Sequence, residues 1–274
     1  MAGFDLKEGT FEDREVSEEE LWSAIACIFS SKSKNDSSYK YGFLKSILDN
    51  LDQVDVDGRL NFDQIFTRFA ELYWSLILVH QLRQKAATND NRRSAIERVL
   101  FDARDKYLTS DEKPFDALPA RARAEVSHQV KMKCKTYVVG ALFEDTKRIF
   151  YSFSKRGEWI QINPRMLRFI RKRKEDIERL NNYEWAYFLE KVNPEYSANY
   201  ILSNCLLNPV KSYINTAEMV FAAEEATSRN LVKEMDAYRE FGDSSDEDQI
   251  DEEVKALLDD PEALIKLLKK RIGI

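Results

Sequence analysis

Apolar positions recur every three or four residues through the first eighty residues, the spacing expected of helices that bury one face. Between 39 and 51 this repeat forms one broad apolar stripe, made by Tyr39, Phe43, Leu44, Ile47, Leu48 and Leu51. Ser37 or Ser38 is the expected cap of that helix. Segment 62–84 is apolar around nearly its whole circumference, as in helices that are buried on all sides. The pattern predicts a helical body with 62–84 as its spine.

Polar residues mark the places where two of these helices begin. Ser17 and Glu20 form a capping box, in which the hydroxyl accepts an unpaired amide hydrogen and the carboxylate accepts the amide of the cap residue. Asn61 and Gln64 repeat the arrangement before the central segment. The first pair predicts a helix over about 18–31.

The pattern changes between 133 and 162, where Val, Tyr, Phe and Ile accumulate. Turn residues at 144–146 and at 155–157 divide this stretch, so it predicts a hairpin followed by a third short strand. Asn163-Pro164 then opens another helix, because proline is tolerated at the first helical position. Further helices are predicted at 183–192, 197–207, 215–240 and 260–272.

Together these elements predict a mainly α protein with a small antiparallel β insertion. The expected divisions are an N-terminal helical bundle (1–130), the β insertion (131–162), basic and aromatic helices that pack on the bundle (163–240), and an acidic linker with a short terminal helix (241–274). Eight glycines and six prolines are few for 274 residues, which also favours helix.

Composition indicates a cytoplasmic protein. A hydrophobic fraction of 43% can fill a sizeable core, whereas no apolar run approaches the roughly 20 residues that cross a bilayer. The acidic first twenty residues have no apolar segment of the secretory type, so no signal peptide is predicted. Cys27, Cys134 and Cys205 are widely spaced and form no metal-binding pair, which suits a reducing compartment.

Charge is distributed unevenly along the chain. Residues 131–179 contain fourteen Lys and Arg against six Asp and Glu, a net charge of +8, whereas 224–262 contain four against fifteen, a net charge of −11. Clustered cations of this kind are typical of contacts with a phosphate backbone. The predicted nucleic-acid-binding residues lie on one helix: Arg165, Arg168, Arg171, Lys172, Arg173 and Lys174.

Two alternatives accompany this charge pattern. The basic helix can instead be a solvated face that neutralises neighbouring carboxylates. The acidic stretch 242–253 can be a solubilising segment, or it can cover the basic helix in the absence of nucleic acid.

Catalytic residue patterns are missing from the sequence. His80 and His128 are the only histidines, and neither has a metal-ligand neighbour at helical spacing. There is no glycine-rich phosphate loop and no GxSxG motif. The sequence therefore predicts no catalytic residue, no metal site and no cofactor.

Two segments resemble metal sites in their residue pattern. Residues 52–66 resemble a calcium loop, but Gln53 and Gln64 occupy its first and twelfth positions, where an anionic oxygen and a bidentate Glu belong. We interpret this segment as an acidic turn. Asp145 and Lys147, with Asp116 upstream, faintly resemble the carboxylate motif of metal-dependent nucleases, yet the predicted hairpin places Asp145 and Lys147 at an exposed tip.

Longer stretches of the chain resemble a known family. The stretches are SSYKYGFLKSILDN (37–50), FTRFAELYWSLILVHQLRQ (66–84) and the run from CKTYVVGALFEDTKRIFYSFSK (134–155) through INPRMLRFI (162–170) to LNNYEWAYFLEKVNP (180–194). Over about 37–194 they look like the non-catalytic helical region of bacterial HNH endonucleases of the restriction and phage-defence type. The resemblance implies that members of that family hold the metal in a later segment, which contains an Asp-His pair, an Asn and a second His. This chain has no Asp-His dipeptide and no histidine after His128.

The resemblance implies the targeting or docking part of a defence nuclease. The expected function is a non-catalytic nucleic-acid-binding or docking subunit whose partners are DNA and a protein that carries the catalytic module, with no membrane association. Two alternatives stay open. The chain can be an active metal-dependent endonuclease with a site that sequence does not reveal, or a protein-interaction module that acts through its acidic tail.

Overall fold

The computed structural model describes residues 5–30, 36–85, 93–107 and 114–207. The chain divides into two units, 1–220 and 221–274, and the second lies wholly outside the described residues. The helices predicted at 215–240 and 260–272 and the acidic stretch 242–253 also lie outside the described residues.

The described residues form a helical body with a small antiparallel sheet, as the sequence predicts. The helices are α1 (Glu18–Phe29), α2 (Tyr39–Asp49), α3 (Phe62–Trp74), α4 (Ala95–Tyr107), α5 (Ala120–Asp145), α6 (Pro164–Lys172), α7 (Lys174–Val192) and α8 (Ala198–Ile201). The strands are β1 (Glu8–Gly9), β2 (Arg59–Asn61), β3 (Tyr151–Ser154) and β4 (Trp159–Ile162). Within this part of the chain, no helix combines the length and the apolar composition needed to cross a membrane.

Helix α3 is the centre of the core and packs against α2 and α5. Its aromatic residues Phe66, Phe69 and Tyr73 are fully buried, and the rings of Phe69 and Tyr73 lie 4.4 Å apart between centroids. The Tyr73 hydroxyl lies 2.9 Å from Ser38 Oγ at the start of α2. Ser38 occupies the predicted cap position, but its hydroxyl bonds to Tyr73 and Gln84 rather than to a helix amide. This packing confirms the central segment as the spine, although its helical part ends at Val79 and not at 84 as predicted.

Both predicted capping boxes are present. Ser17 Oγ accepts the amide of Glu20 at 3.2 Å and the Glu20 carboxylate accepts the amide of Ser17 at 3.0 Å. Asn61 and Gln64 make the equivalent pair of bonds at 2.8 and 2.9 Å. These bonds satisfy amides that a helix start leaves unpaired, and they place the starts of α1 and α3 where the sequence indicated.

The prediction of a strand before the turn at 144–146 is wrong, because α5 runs without interruption from Ala120 to Asp145. Its buried positions recur every four residues: Val126, Val130, Cys134, Val138 and Leu142. Helix α5 packs against both α3 and α4. Burial of the stripe outweighs the local preference of Val and Tyr for strands.

The sheet has the order β1-β3-β4-β2 and is antiparallel throughout. The hairpin predicted around 144–146 does not form; instead the second and third predicted strands, β3 and β4, pair across the turn at 155–157. Glu158 before β4 has a positive φ of 57°. The two outer strands come from distant parts of the chain, with Glu8 opposite Ser154 and Leu60 opposite Ile160. They are only two and three residues long, and the sequence pattern does not reveal them.

In the part of the chain that the structure describes, two π-helical turns extend regular helices at their C-terminal ends. Ser75–Val79 continues α3, and Leu202–Leu206 continues α8, so the predicted helix 197–207 is confirmed with a wider last turn. The two π turns contact each other. Turns of this kind are rare and occur frequently at functional sites.

Candidate functional site

The structure divides the basic helix predicted from sequence: α6 ends at Lys172, Arg173 lies at the junction, and Lys174 is the first residue of α7. The start of α6 is set by local chemistry. Asn163 caps it by accepting the amide of Arg165 at 2.9 Å, and Pro164 occupies its first position. Its buried side is made by Met166, Phe169 and Ile170, and Phe169 contacts the Trp22 ring of α1 edge-on. The burial of this side leaves the cations on the solvent side.

Three of the predicted binding residues reach carboxylates of the N-terminal segment. Arg165 lies 3.8 Å from Glu15, Lys172 lies 3.7 Å from Glu18, and Arg173 lies 3.3 Å from Glu18. About 150 residues separate these partners in sequence, so no local pattern could have paired them.

Two further ion pairs lie at the junction of α6 and α7. Arg173 also lies 3.8 Å from Asp176, and Lys174 lies 4.0 Å from Glu178. For Arg165, Lys172, Arg173 and Lys174 the structure thus agrees with the alternative of a face that neutralises its own carboxylates. These pairs are exposed and long, however, and pairs of that kind contribute only about 0–1 kcal/mol.

Arg168 and Arg171 are different. Both are exposed, and neither has an ion pair with any residue that the structure describes. Arg171 donates instead to the main-chain oxygen of Leu51 at 3.4 Å, which leaves its charge without compensation from an acid. Together with Lys172, whose side chain is 65% exposed, they form the cationic surface of α6 (Arg168, Arg171 and Lys172).

The cations next to the hairpin have a structural role. Lys131 and Lys135 of α5 both bond the Glu158 carboxylate, at 2.7 and 2.6 Å, and Lys131 also bonds Asp63. The two lysines hold the pKa of Glu158 below its usual value. Burial and, less strongly, the charge of Lys135 lower the pKa of Lys155, against the opposing effect of nearby Asp5. These contacts join the hairpin to α5.

The calcium-like loop is arranged as a turn. Asp55 Oδ1 accepts the amides of Asp57 and Arg59 at 2.9 and 2.8 Å, and Gly58 has the positive φ of 77° that the turn requires. The Gln64 side chain is committed to the capping box. The geometry therefore supports the interpretation of an acidic turn.

Asp145 does not lie on a hairpin tip, contrary to the expectation. It is the last residue of α5, where it forms an ion pair with the buried Lys40. His80 is half-buried at the end of the first π turn, and His128 is exposed on α5. Among residues 5–30, 36–85, 93–107 and 114–207, no three His, Cys, Asp or Glu side chains are grouped to hold a metal ion.

Comparison with known proteins leaves the resemblance as a prediction. No protein-family model, no curated protein and no solved structure matches this chain.

Proposed function

We propose that this protein is a non-catalytic nucleic-acid-binding subunit of a bacterial antiviral-defence nuclease system. It contacts the phosphate backbone of DNA through the cationic surface of α6 and docks onto a partner protein that carries the catalytic module. The observation that supports the proposal is the pair of exposed guanidinium groups, Arg168 and Arg171, that no described carboxylate neutralises.

The weak ion pairs beside these arginines favour the same function. Glu15 is 95% exposed and Glu18 is 47% exposed, and they lie 3.3 to 3.8 Å from their cations. A phosphate oxygen can replace such partners at little cost, because exposed pairs contribute little and salt screens them. Arg165, Lys172 and Arg173 can then add to the contacts made by Arg168 and Arg171.

A fluorescence-anisotropy titration with a labelled DNA duplex over a series of salt concentrations tests this proposal. The triple variant Arg168→Glu, Arg171→Glu, Lys172→Glu should bind more weakly, whatever the DNA sequence. The slope of log K against log salt is negative, and each lost phosphate contact reduces its magnitude by about 0.9, so the loss of three contacts reduces it by about 2.7.

A matched triple variant controls for net charge. Arg121, Lys133 and Arg156 are also exposed, and their replacement by Glu changes the total charge equally without touching α6. This control should retain most of the parent slope. An α6 variant that folds and keeps the parent affinity and salt slope would contradict the proposal.

A further inference from the structure

A second exposed surface lies where the turn between β3 and β4 rests on α5, and it includes no residue of α6. The Lys155 ammonium donates to the main-chain oxygen of Thr136 at 3.1 Å. At the other end of the turn, Glu158 bonds Lys131 and Lys135. These contacts hold the turn against the middle of α5. We call the exposed residues around them the α5–turn surface: Met132, Lys133, Thr136, Tyr137, Lys155 and Arg156.

Two large apolar side chains lie on the helical part of this surface. Met132 is 49% exposed and Tyr137 is 55% exposed. Met132 lies four residues before Thr136, and Lys133 lies four before Tyr137, so the members of each pair are neighbours on the helix. At 3.6 residues per turn, Met132 lies between the side of α5 that holds the turn and Lys133. The apolar groups are therefore interleaved with cations.

Cations outnumber acids around the α5–turn surface. Lys131 and Lys135 are balanced by Asp63 and Glu158, which they bond. Lys133 and Arg156 are exposed, and neither has an ion pair with any residue that the structure describes. The full set contains six cations and four acids, a surplus of two positive charges: Lys7, Lys131, Lys133, Lys135, Lys155 and Arg156 against Asp5, Glu8, Asp63 and Glu158.

This combination of groups favours a protein partner over nucleic acid. Met, Tyr and Arg are enriched in protein–protein interfaces, and a methionine side chain adapts to the apolar groups that it meets. A phosphate backbone needs donors and cations, whereas the middle of this surface is the thioether of Met132. The surplus of positive charge selects a partner that carries carboxylates.

We propose that the α5–turn surface docks an acidic segment of a protein partner. Apolar side chains of that segment pack on Met132 and Tyr137, and its carboxylates lie beside Lys133 and Arg156. The proposal rests on the docking half of the proposed function and gives the surface and the chemistry of the partner. Because it uses no residue of α6, the chain can hold DNA and the partner at the same time.

A designed peptide tests this proposal on the full chain. The peptide has Glu at most positions and Leu or Phe at helical spacing, and a matched peptide has Lys in place of every Glu. Each exposed charge contributes little to affinity, so both labelled peptides are titrated to about 2 mM in fluorescence anisotropy. Nuclear magnetic resonance of the methionine methyl groups locates binding: the signal of Met132 should shift with the acidic peptide, and that of the fully buried Met166 should not.

Two variants and one matched control follow from the charges. The double variant Lys133→Glu, Arg156→Glu should weaken binding of the acidic peptide about tenfold, because two attractions become repulsions. Tyr137→Gln should weaken it about threefold by removing apolar contact area. The control Arg83→Glu, Lys191→Glu changes the net charge equally at exposed residues outside α5 and the turn, and it should retain the parent affinity.

Binding of the acidic peptide but not of the Lys peptide, weakened by Lys133→Glu, Arg156→Glu and retained by the control, supports the proposal. Two results would overturn it in protein that is folded by circular dichroism: no binding of the acidic peptide up to the highest concentration, or equal binding to the parent and the double variant.

A single-stranded oligothymidylate tests the surface for nucleic acid. Oligothymidylate binding that is lost in Lys133→Glu, Arg156→Glu but kept in the triple variant of α6 would assign the surface to nucleic acid and overturn the proposal. The triple variant of α6 should still bind the acidic peptide. Failure of the DNA contact and failure of the docking surface are therefore separate results.

Discussion

Gly42 in the middle of α2 offers a test of how closely the core is packed. A methyl group added at this position would lie 2.4 Å from Cε2 and 2.8 Å from Oη of Tyr73. Helix propensity alone predicts that Gly42→Ala stabilises the protein, because alanine is favoured over glycine inside a helix by about 1 kcal/mol. Packing predicts the opposite sign.

Tyr73 cannot move aside easily. It is fully buried, its ring contacts Phe69, Tyr39 and Trp185, and its hydroxyl lies 2.9 Å from Ser38 Oγ. Insertion of an extra methyl group into a packed core costs about 1–3 kcal/mol, and distortion of the hydroxyl contact adds about 1 kcal/mol. After the propensity gain is subtracted, Gly42→Ala should lower the free energy of unfolding by about 1–3 kcal/mol.

Urea unfolding of the parent, Gly42→Ala, Tyr73→Leu and the double variant measures the effect and its cause. Tyr73→Leu is itself destabilising, but it removes the atoms that the new methyl group would meet. In that background Gly42→Ala should be neutral or stabilising, so the two changes should couple strongly. A Gly42→Ala protein as stable as the parent would refute the placement of Tyr73 against α2.

Three further predictions concern other parts of the fold. Asn61→Ala removes the cap of α3 and should cost about 0.5–2 kcal/mol in urea unfolding, while serine at the same position should retain most of the stability. Glu158→Gln should destabilise the protein at about pH 7 but not at about pH 2. The pKa of Glu158 in the folded protein lies below its ordinary value of 4.5. The ionised carboxylate therefore stabilises the fold at a pH above the unfolded-state pKa, and this stabilisation is lost as the pH falls through the folded-state pKa. A difference that persists in acid would contradict this. Burial raises the pKa of Cys205 to about 12 and also raises the pKa of Cys134. Iodoacetamide at about pH 8 should therefore label the half-buried Cys27 first, which mass spectrometry can measure. Rapid labelling of a Cys27→Ser variant would contradict this prediction.

Features that depend on neighbours in sequence could be predicted, and features that depend on distant residues could not. The capping boxes at Ser17 and Asn61 involve residues three apart, so their residue types identified them. Ser94 and Glu97 form a third such pair at the start of α4, with the Glu97 carboxylate also accepting the amide of Gln84 at 3.0 Å. The same spacing rule could have identified it.

The error in 133–143 has a different origin. Val, Tyr and Phe prefer strands locally, but the apolar positions from Val126 to Leu142 follow a four-residue spacing that fits a helix. The residue types therefore favour a strand, whereas the spacing of the buried positions fits the observed helix. The helical spacing becomes clear only when the whole of Ala120–Asp145 is considered together.

The candidate sites show the same division. The six cations of the basic helix are visible in sequence, but Glu15 and Glu18, which lie beside three of them, come from the other end of the fold. A cleft between the π turns Ser75–Val79 and Leu202–Leu206 has no sequence pattern, because α2, α3, α7 and both π turns each contribute only a few of its lining residues.

The first strand has a consequence for synthesis of the chain on the ribosome. Glu8 pairs with Ser154, 146 residues later, and its carboxylate also accepts the Ser154 hydroxyl. At about 5–20 residues per second, β1 must wait about 7–30 s for its partner to be made. The helices between them have time to associate first. Strand β1 therefore pairs late, with a hairpin that α3 and α5 already support.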